Sequence, residues 1–342
     1  MSNASISTQA DIRSGDRQIS HSIQSMFELK NSVHGIQEYM SFEYLFGYIH
    51  LFVFVSYLYI GITFRMVYKM CKLFYRNRLF NKTTMVHENL FQSFLWMEMA
   101  NFSCFVFDNL VFRLPSTGLL TSFCASLSPN HFLKVLYMLG LLANYQSMFY
   151  SLFFCLTRLL IVFFPNTHQR ISSRVSFFFV PFTFLVPLFA DFYLLPAVGF
   201  CRQLGVPYPF GAVSVAFGET WFDIRTDRCM LYLSFITPAV IILANGVLIY
   251  KVRAFLFYKQ MTRSQKSRRA QISLTLTTLA ISIQFLASGG KTVAGMISGE
   301  YGAYALLIRN PLVDFGMVLV PWLFYLSHPM FHEKPGAHSS TT

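Results

Sequence analysis

Long apolar stretches alternate with short polar connections along most of the chain. Seven stretches have roughly the 20 mostly apolar residues that a helix needs to span a bilayer. They cover 44–66, 89–112, 131–163, 175–195, 230–252, 272–297 and 304–326. The sixth and seventh are the weakest of them, because they contain Lys291, Arg309 and Asp314. The pattern predicts an all-α membrane protein, a bundle of seven transmembrane helices.

The predicted spans form one domain between two polar ends. The segment 1–43 has no apolar core and is therefore not a cleavable signal peptide, so the first span is expected to act as its own signal anchor. No repeat or low-complexity tract divides the remainder. We expect an N-terminal segment 1–43, a seven-helix bundle over 44–327 and a short tail, 328–342.

Basic residues are concentrated in every second loop. Six follow the first span, three follow the third, seven follow the fifth and Lys334 lies in the tail, together 17 of the 27 Lys and Arg residues. Cytoplasmic loops carry an excess of Lys and Arg. The sequence therefore predicts an extracellular N-terminus and a cytoplasmic C-terminus. The sequon at Asn3 then lies outside the cell, as a candidate glycosylation site.

Composition agrees with a membrane protein and narrows the function. Hydrophobic residues make up 54% of the 342 positions and charged residues only 12%, with a mean hydropathy of +0.47. Soluble domains carry about 25% charged residues, so an ordinary cytosolic enzyme and a disordered chain are excluded. The net charge of +12 is accounted for by the basic loops. We expect a lipid bilayer as the surroundings and no nucleic acid as a partner.

Three cysteines fall on the predicted outer side, which is an oxidising compartment. Cys124 precedes the third span, Cys201 lies in the long second outer loop, and Cys229 lies at the mouth of the fifth span. A Cys124–Cys201 disulfide would hold the long loop over the bundle. Cys124–Cys229 remains the alternative, because connectivity cannot be read from the sequence.

Four spans each carry one stripe of polar residues at helical spacing. Ionisable groups at membrane depth are costly and usually face the bundle interior, so the stripes predict a polar interior that a small molecule can enter. The alternative is that these groups only hydrogen-bond between helices. The candidate ligand-binding residues are Glu98, Asn101, Tyr137, Asn144, Lys291 and Asp314.

Charges within the spans need partners. Lys291 is the one charge of its predicted span, and Glu98 and Asp314 are the acids that are candidates to pair with it. Three charged residues near the outer boundary are expected to be solvated at the surface, namely Asp108, Asp191 and Arg309.

Motifs for catalysis are missing from the sequence. There is no phosphate-binding loop, no His-Glu-x-x-His and no close Cys/His cluster. We therefore expect neither an enzyme nor a bound metal or cofactor.

Three stretches carry a resemblance to a known family. One is 156–165 (LTRLLIVFFP) with the polar segment 167–170. The second runs from Asp314 through Pro321 and Trp322 to 328–331 (HPMF), and the third is the Phe-rich fourth span with its long outer loop. They resemble the nematode serpentine chemoreceptors, which are G-protein-coupled receptor-like proteins, and are most similar to the gamma class (Srg).

The resemblance implies a plasma-membrane receptor. Such a protein would bind a small extracellular ligand within the bundle and signal to a heterotrimeric G protein through its inner loops. Arg158 at the inner end of the third span and Pro321 in the seventh would be the signalling switch. The sequence departs from the family pattern at Thr157, where Asn is more usual, and it lacks an Asp/Glu-Arg-Tyr triplet around Arg158.

The alternative function for a chain with seven spans is that of a transporter or a ligand-gated channel. A transporter predicts paired repeats with broken helices, and the two halves of this chain show no internal similarity. A channel of the insect odour-receptor type would place the N-terminus inside the cell, against the distribution of basic residues.

Overall fold

Seven long helices, one for each predicted span, make up most of the described chain. The computed structural model describes residues 32–79, 88–218, 220–221, 226–258 and 265–327. The long helices are α1 (Tyr48–Leu79), α2 (Glu88–Asp108), α3 (His131–Phe163), α4 (His168–Ala190), α5 (Thr226–Tyr258), α6 (Gln265–Ile297) and α7 (Gly299–Ser327). The expected all-α bundle is confirmed.

Among the described residues, five of these helices are long and apolar enough to cross a membrane by length and composition alone. They are α1, α3, α4, α5 and α7. The seventh span, expected to be weak, is one of the five, whereas α2 and α6 are not. Both bring polar side chains into the interior, as Glu98 and Asn101 of α2 and Gln284 of α6 are buried.

Local sequence explains how the helices begin and how they keep their polar groups satisfied. The side chain of Asn130 caps α3 by accepting a hydrogen bond from the Leu133 N–H at 2.9 Å. Hydroxyl groups inside the spans bond back to a carbonyl of their own helix, as Thr63 does to Tyr59 O at 2.8 Å. Pro181 and Pro187 lie within α4 and do not end it.

A wide helical turn follows α2. Residues Asn109–Arg113 form a π-helical turn, and the short helix Leu114–Ser116 continues from it. The sequence predicted a second span that continues to residue 112, so the turn replaces its last residues. A π-turn inserts one extra residue and rotates the side chains that follow, and such turns are frequent at functional sites. Here the rotation brings Arg113 into the bundle, where it is 3% exposed.

A β-hairpin covers one end of the bundle and was not predicted from the sequence. β1 (Gly199–Gln203) pairs antiparallel with β2 (Val213–Phe217), and Gly199 lies opposite Phe217. A disulfide joins Cys201 of β1 to Cys124 in the short helix Thr121–Ser126. We call this side of the molecule the hairpin end.

The hairpin lies directly on the start of α3. Gly199 exchanges backbone hydrogen bonds with Asn130 at 2.9 and 3.1 Å. A Cβ at Gly199 would lie 2.3 Å from the backbone nitrogen of Lys134, so only glycine permits this approach of the hairpin to α3. The disulfide and the close contact together hold the loop between the strands over the helix ends.

The half of the bundle away from the hairpin has an apolar, aromatic core. Phe91, Phe94 and Phe324 are buried there, and the rings of Phe94 and Phe324 stack at 4.4 Å. α6 and α7 approach closely beside this core, since a Cβ at Gly316 would lie 2.9 Å from the Ala280 carbonyl oxygen.

Candidate ligand site

A buried arginine connects the end of α2 to the middle of α7. Arg113 donates two parallel hydrogen bonds to Asp314, from Nη1 to Oδ2 and from Nη2 to Oδ1, each at 2.7 Å. Its Nε donates to Asp108 Oδ2, also at 2.7 Å. A bidentate arginine–carboxylate pair fixes both distance and orientation. The pair therefore sets the position of α7 relative to the π-turn.

Further polar residues extend this pair into a network. Arg309 of α7 contacts Asp108 Oδ1 at 3.3 Å and Asn310 Oδ1 at 3.2 Å through Nη1. The hydroxyl of Tyr59 in α1 donates to Asp314 Oδ2. Two guanidinium groups thus alternate with two carboxylates. This balance lets the four charges lie within the bundle.

The structure corrects the expectation that the outer charges are solvated. Arg309 is buried and Asp108 is largely covered, because each neutralises the other. Asp191, after the end of α4, is also buried. Arg113 was not among the predicted residues, because the π-turn and not regular helical spacing brings its side chain to Asp108.

A pocket opens beside the network, between α1 and α7. Its cavity has a volume of about 40 Å³, and with the open space at its mouth the empty volume is about 420 Å³. Its apolar wall comes from the two helices, and its polar end comes from the network and the hairpin loop. The lining residues are Ile49, Phe52, Val53, Tyr59, Arg113, Ser116, Tyr208, Leu307, Asn310, Pro311 and Asp314.

Tyr208 reaches this pocket from the loop between the two strands. Its side chain is 6% exposed, yet its hydroxyl has no hydrogen-bond partner among the described residues. Burial raises the pKa of this hydroxyl, which therefore stays protonated and able to donate. The loop is held to α1 by the Tyr48 hydroxyl, which donates to the Pro207 carbonyl at 2.6 Å.

A second polar cluster lies deeper in the bundle and joins α2, α3 and α6. The Ser147 hydroxyl donates to Asn101 Oδ1 at 2.6 Å and accepts from Gln284 Nε2 at 3.2 Å. Asn101 was among the candidate ligand-binding residues, and Ser147 was not. In the structure Asn101 joins helices through this chain of hydrogen bonds.

The candidate acids do not hydrogen-bond Lys291. Asp314 bonds Arg113 and Tyr59. Glu98 is 1% exposed, and neither of its carboxylate oxygens has a hydrogen-bond partner in the part of the chain that the structure describes.

The remaining candidates on α3 lie apart from the pocket. Tyr137 packs under the hairpin, with its ring centre 4.9 Å from that of Phe217. Asn144 is half-buried farther along α3. The six candidate residues therefore occupy several places in the bundle, and only Asp314 lines the pocket.

The candidate switch residues lie toward the opposite end of the bundle. The Arg158 guanidinium lies over the Phe154 ring at 4.7 Å, and its buried Nη1 has no hydrogen-bond partner within the described residues. Pro321 is buried in α7, and the neighbouring Trp322 Nε1 donates to Thr63 Oγ1 of α1 at 3.2 Å. The glycosylation candidate Asn3 lies outside the described residues.

Two comparisons with known proteins cover most of the chain. The profile described as "Serpentine type 7TM GPCR chemoreceptor Sru" matches residues 33–334. Serpentine receptor class U-26 of Caenorhabditis elegans is 29% identical over 262 residues, which are 75% of this chain and 88% of that protein.

Proposed function

The chain belongs to the Sru family of serpentine seven-transmembrane chemoreceptors, and from this premise we propose that it binds a small extracellular molecule and signals through a heterotrimeric G protein. Membership confirms the predicted serpentine chemoreceptor family and a multi-pass plasma-membrane protein. The gamma class is not confirmed, since the match is to Sru. The family is one of receptors and not of enzymes.

We propose the orientation that the basic loops predict. The N-terminal segment 1–43 and the hairpin are extracellular, and the tail 328–342 is cytoplasmic. The excess of Lys and Arg after α1, α3 and α5 supports this arrangement. The pocket then lies in the extracellular half of the bundle 44–327.

The single observation that carries the proposal is the position of the pocket beside the Arg113–Asp314 pair. A ligand shifts a conformational equilibrium only through its different affinity for the two states. The pair joins the end of α2 to the middle of α7, and α7 continues to the other end of the bundle. A ligand beside the pair favours one arrangement of α7 and so changes the inner surface.

On the cytoplasmic side, the basic segments after α1, α3 and α5 contact the G protein. The Nζ of Lys251 in α5 lies 3.6 Å from the centre of the Phe163 ring, so the inner parts of α3 and α5 are in contact. Arg158 lies one turn and a half before Phe163. We assign Arg158 to the surface that rearranges when α7 moves.

The test is expression in a reporter cell exposed to a panel of small odorants and lipids. The wild type is expected to give a ligand-dependent G-protein signal, and Arg158→Ala is expected to lose it while surface expression is kept. Arg202→Ala, on an exposed side chain of the hairpin, is the control. A ligand-dependent ionic current that persists without G proteins would instead support a channel.

A further inference from the structure

The charges around the pocket already neutralise one another. Arg113 is bound by Asp314 and Asp108, and Asp108 is shared with Arg309. A ligand with a net charge would have to displace one of these groups and leave it buried without a partner, which is costly. The balance of charges therefore favours an uncharged ligand.

Two hydrogen-bond donors at the polar end remain available to such a ligand. The Tyr208 hydroxyl is buried without a partner among the described residues. Asn310 accepts from Arg309 through Oδ1, so its amide N–H groups can donate. The carboxylate of Asp314, by contrast, already accepts three hydrogen bonds. The polar end of the pocket therefore offers two donors to a ligand. A carbonyl oxygen on the ligand matches them, because it has two lone pairs that can accept both hydrogen bonds.

The mouth of the pocket lies at bilayer depth. Phe52 lines the pocket and is 54% exposed, and it is four residues, or about 6 Å of helix, past the start of α1. Pro311, also exposed, lines the opposite side on α7. The exposed side chains of a spanning helix face lipid. The opening between α1 and α7 therefore faces the acyl chains of the leaflet at the hairpin end.

We infer that the ligand is an uncharged amphiphile with a carbonyl head, such as a long-chain ketone, ester or lactone, that enters from the bilayer between α1 and α7. Its carbonyl oxygen accepts hydrogen bonds from Tyr208 and Asn310, and its chain lies along Phe52 and Leu307. This inference rests on the proposed receptor function, because it names the ligand and route of that same site.

Photolabelling of the full chain in lipid nanodiscs tests the ligand class without any signalling readout. The probe is a long-chain methyl ketone with a diazirine in its chain, and mass spectrometry locates the label. We expect labels on α1 and α7 near Phe52 and Leu307. The unlabelled ketone is expected to compete better than the carboxylic acid or the primary amine of the same length.

Conservative variants test the two parts of the site. Tyr208→Phe removes one hydroxyl and is expected to weaken ketone competition about three- to tenfold, the effect of one hydrogen bond. Tyr304→Phe, at an exposed position of α7 that does not line the pocket, is expected to change nothing. Phe52→Trp narrows the mouth and is expected to remove most of the labelling, whereas Leu58→Trp on the exposed face of α1 keeps it.

The route is tested with a ketone whose tail ends in a sulfonate, because the fixed charge holds that end of the chain at the membrane surface and out of the acyl region. This compound is expected not to compete. Equal competition by it would overturn the lateral route, and labels outside α1 and α7 or stronger competition by the acid or amine would overturn the ligand class. Labelling at the pocket without any G-protein signal would overturn the proposed signalling and leave this inference standing.

Discussion

The two halves of the bundle are held together by different forces. The hairpin half contains a network of two arginines and two aspartates and an open pocket. The opposite half contains packed rings, with Phe74 stacked on Phe91 at 4.1 Å and Phe94 on Phe324 at 4.4 Å. Within lipid, helix association depends on such packing and on hydrogen bonds, because apolar burial gives no advantage over the acyl chains.

If the chain works as the receptor we propose, the difference indicates which half changes with the ligand and which half transmits that change. Ion pairs are directional and can exchange partners, so a ligand beside them can select between arrangements. Close-packed rings resist gradual deformation and pass a displacement on. α7 belongs to both halves, through Asp314 in one and Phe324 in the other.

Loss of Arg113 is expected to have the largest effect on stability. Arg113→Leu leaves Asp314 charged and buried without its cation, and breaking a buried pair in this way costs about 3–5 kcal/mol in the free energy of unfolding. The measurement is an SDS titration of the purified protein in bicelles. Arg202→Leu, at an exposed position of the hairpin, is the control.

A double variant separates the effect of the unpaired charge from the effect of the changed side-chain shape. Arg113→Leu combined with Asp314→Leu removes both charges and is expected to regain part of the lost stability. If Arg113→Leu costs no more than Arg202→Leu, the ion pair does not hold the hairpin half together.

The ring cluster is expected to have the next largest effect. Phe94→Ala leaves a cavity beside Phe324 and is expected to lower the free energy of unfolding by about 2 kcal/mol. This is less than the roughly 3–5 kcal/mol lost in the core of a soluble protein, because the unfolded helices also lie in lipid. Phe189→Ala, on an exposed position of α4, is expected to be nearly neutral in the same titration. Because Phe94 lies in the half away from the pocket, Phe94→Ala is expected to leave ketone competition unchanged. If Phe94→Ala weakened ketone competition as much as Tyr208→Phe does, the packing of one half would determine ligand binding in the other.

The third largest effect on stability is expected at the close contact between α6 and α7, which connects the two halves. Gly316→Ala places a methyl group 2.9 Å from the Ala280 carbonyl oxygen and 3.0 Å from Gln284 Cβ, and overpacking of this kind costs about 1–2 kcal/mol. Gly61→Ala in α1 meets nothing within 4 Å and is expected to be neutral or slightly stabilising. Equal unfolding midpoints for the two variants would contradict this close packing.

Much of the fold was predictable because a spanning helix leaves a strong signal in the sequence. The third span was predicted over 131–163 and is His131–Phe163 in the structure. The hairpin was missed, since two strands of only five residues each carry little periodicity. The π-turn was missed because an inserted residue has no compositional signature.

The site was harder to predict, because irregular segments place part of it. The spacing along α7 singled out Asp314, but its partner Arg113 is the last residue of the π-turn and lies beyond the regular helix. Tyr208 reaches the pocket from a loop that long-range contacts hold in place, namely the hairpin, the Cys124–Cys201 disulfide and the Tyr48–Pro207 hydrogen bond. Helical spacing finds residues on one helix and does not find those that an irregular segment brings to it.

The smallest expected effect concerns the hydrogen bonds between α2, α3 and α6. Ser147→Ala removes the bonds to Asn101 and Gln284 and is expected to cost about 0.6–1 kcal/mol, because the unfolded chain in lipid finds other partners for these groups. Ser103→Ala, whose hydroxyl donates within α2 to the Met99 carbonyl, is the matched control in the SDS titration. A double-mutant cycle with Gln284→Leu isolates the pairwise energy. A coupling as large as the loss in Arg113→Leu would mean that hydrogen bonds, and not the ion pairs of the hairpin half, are the main polar connection between the helices.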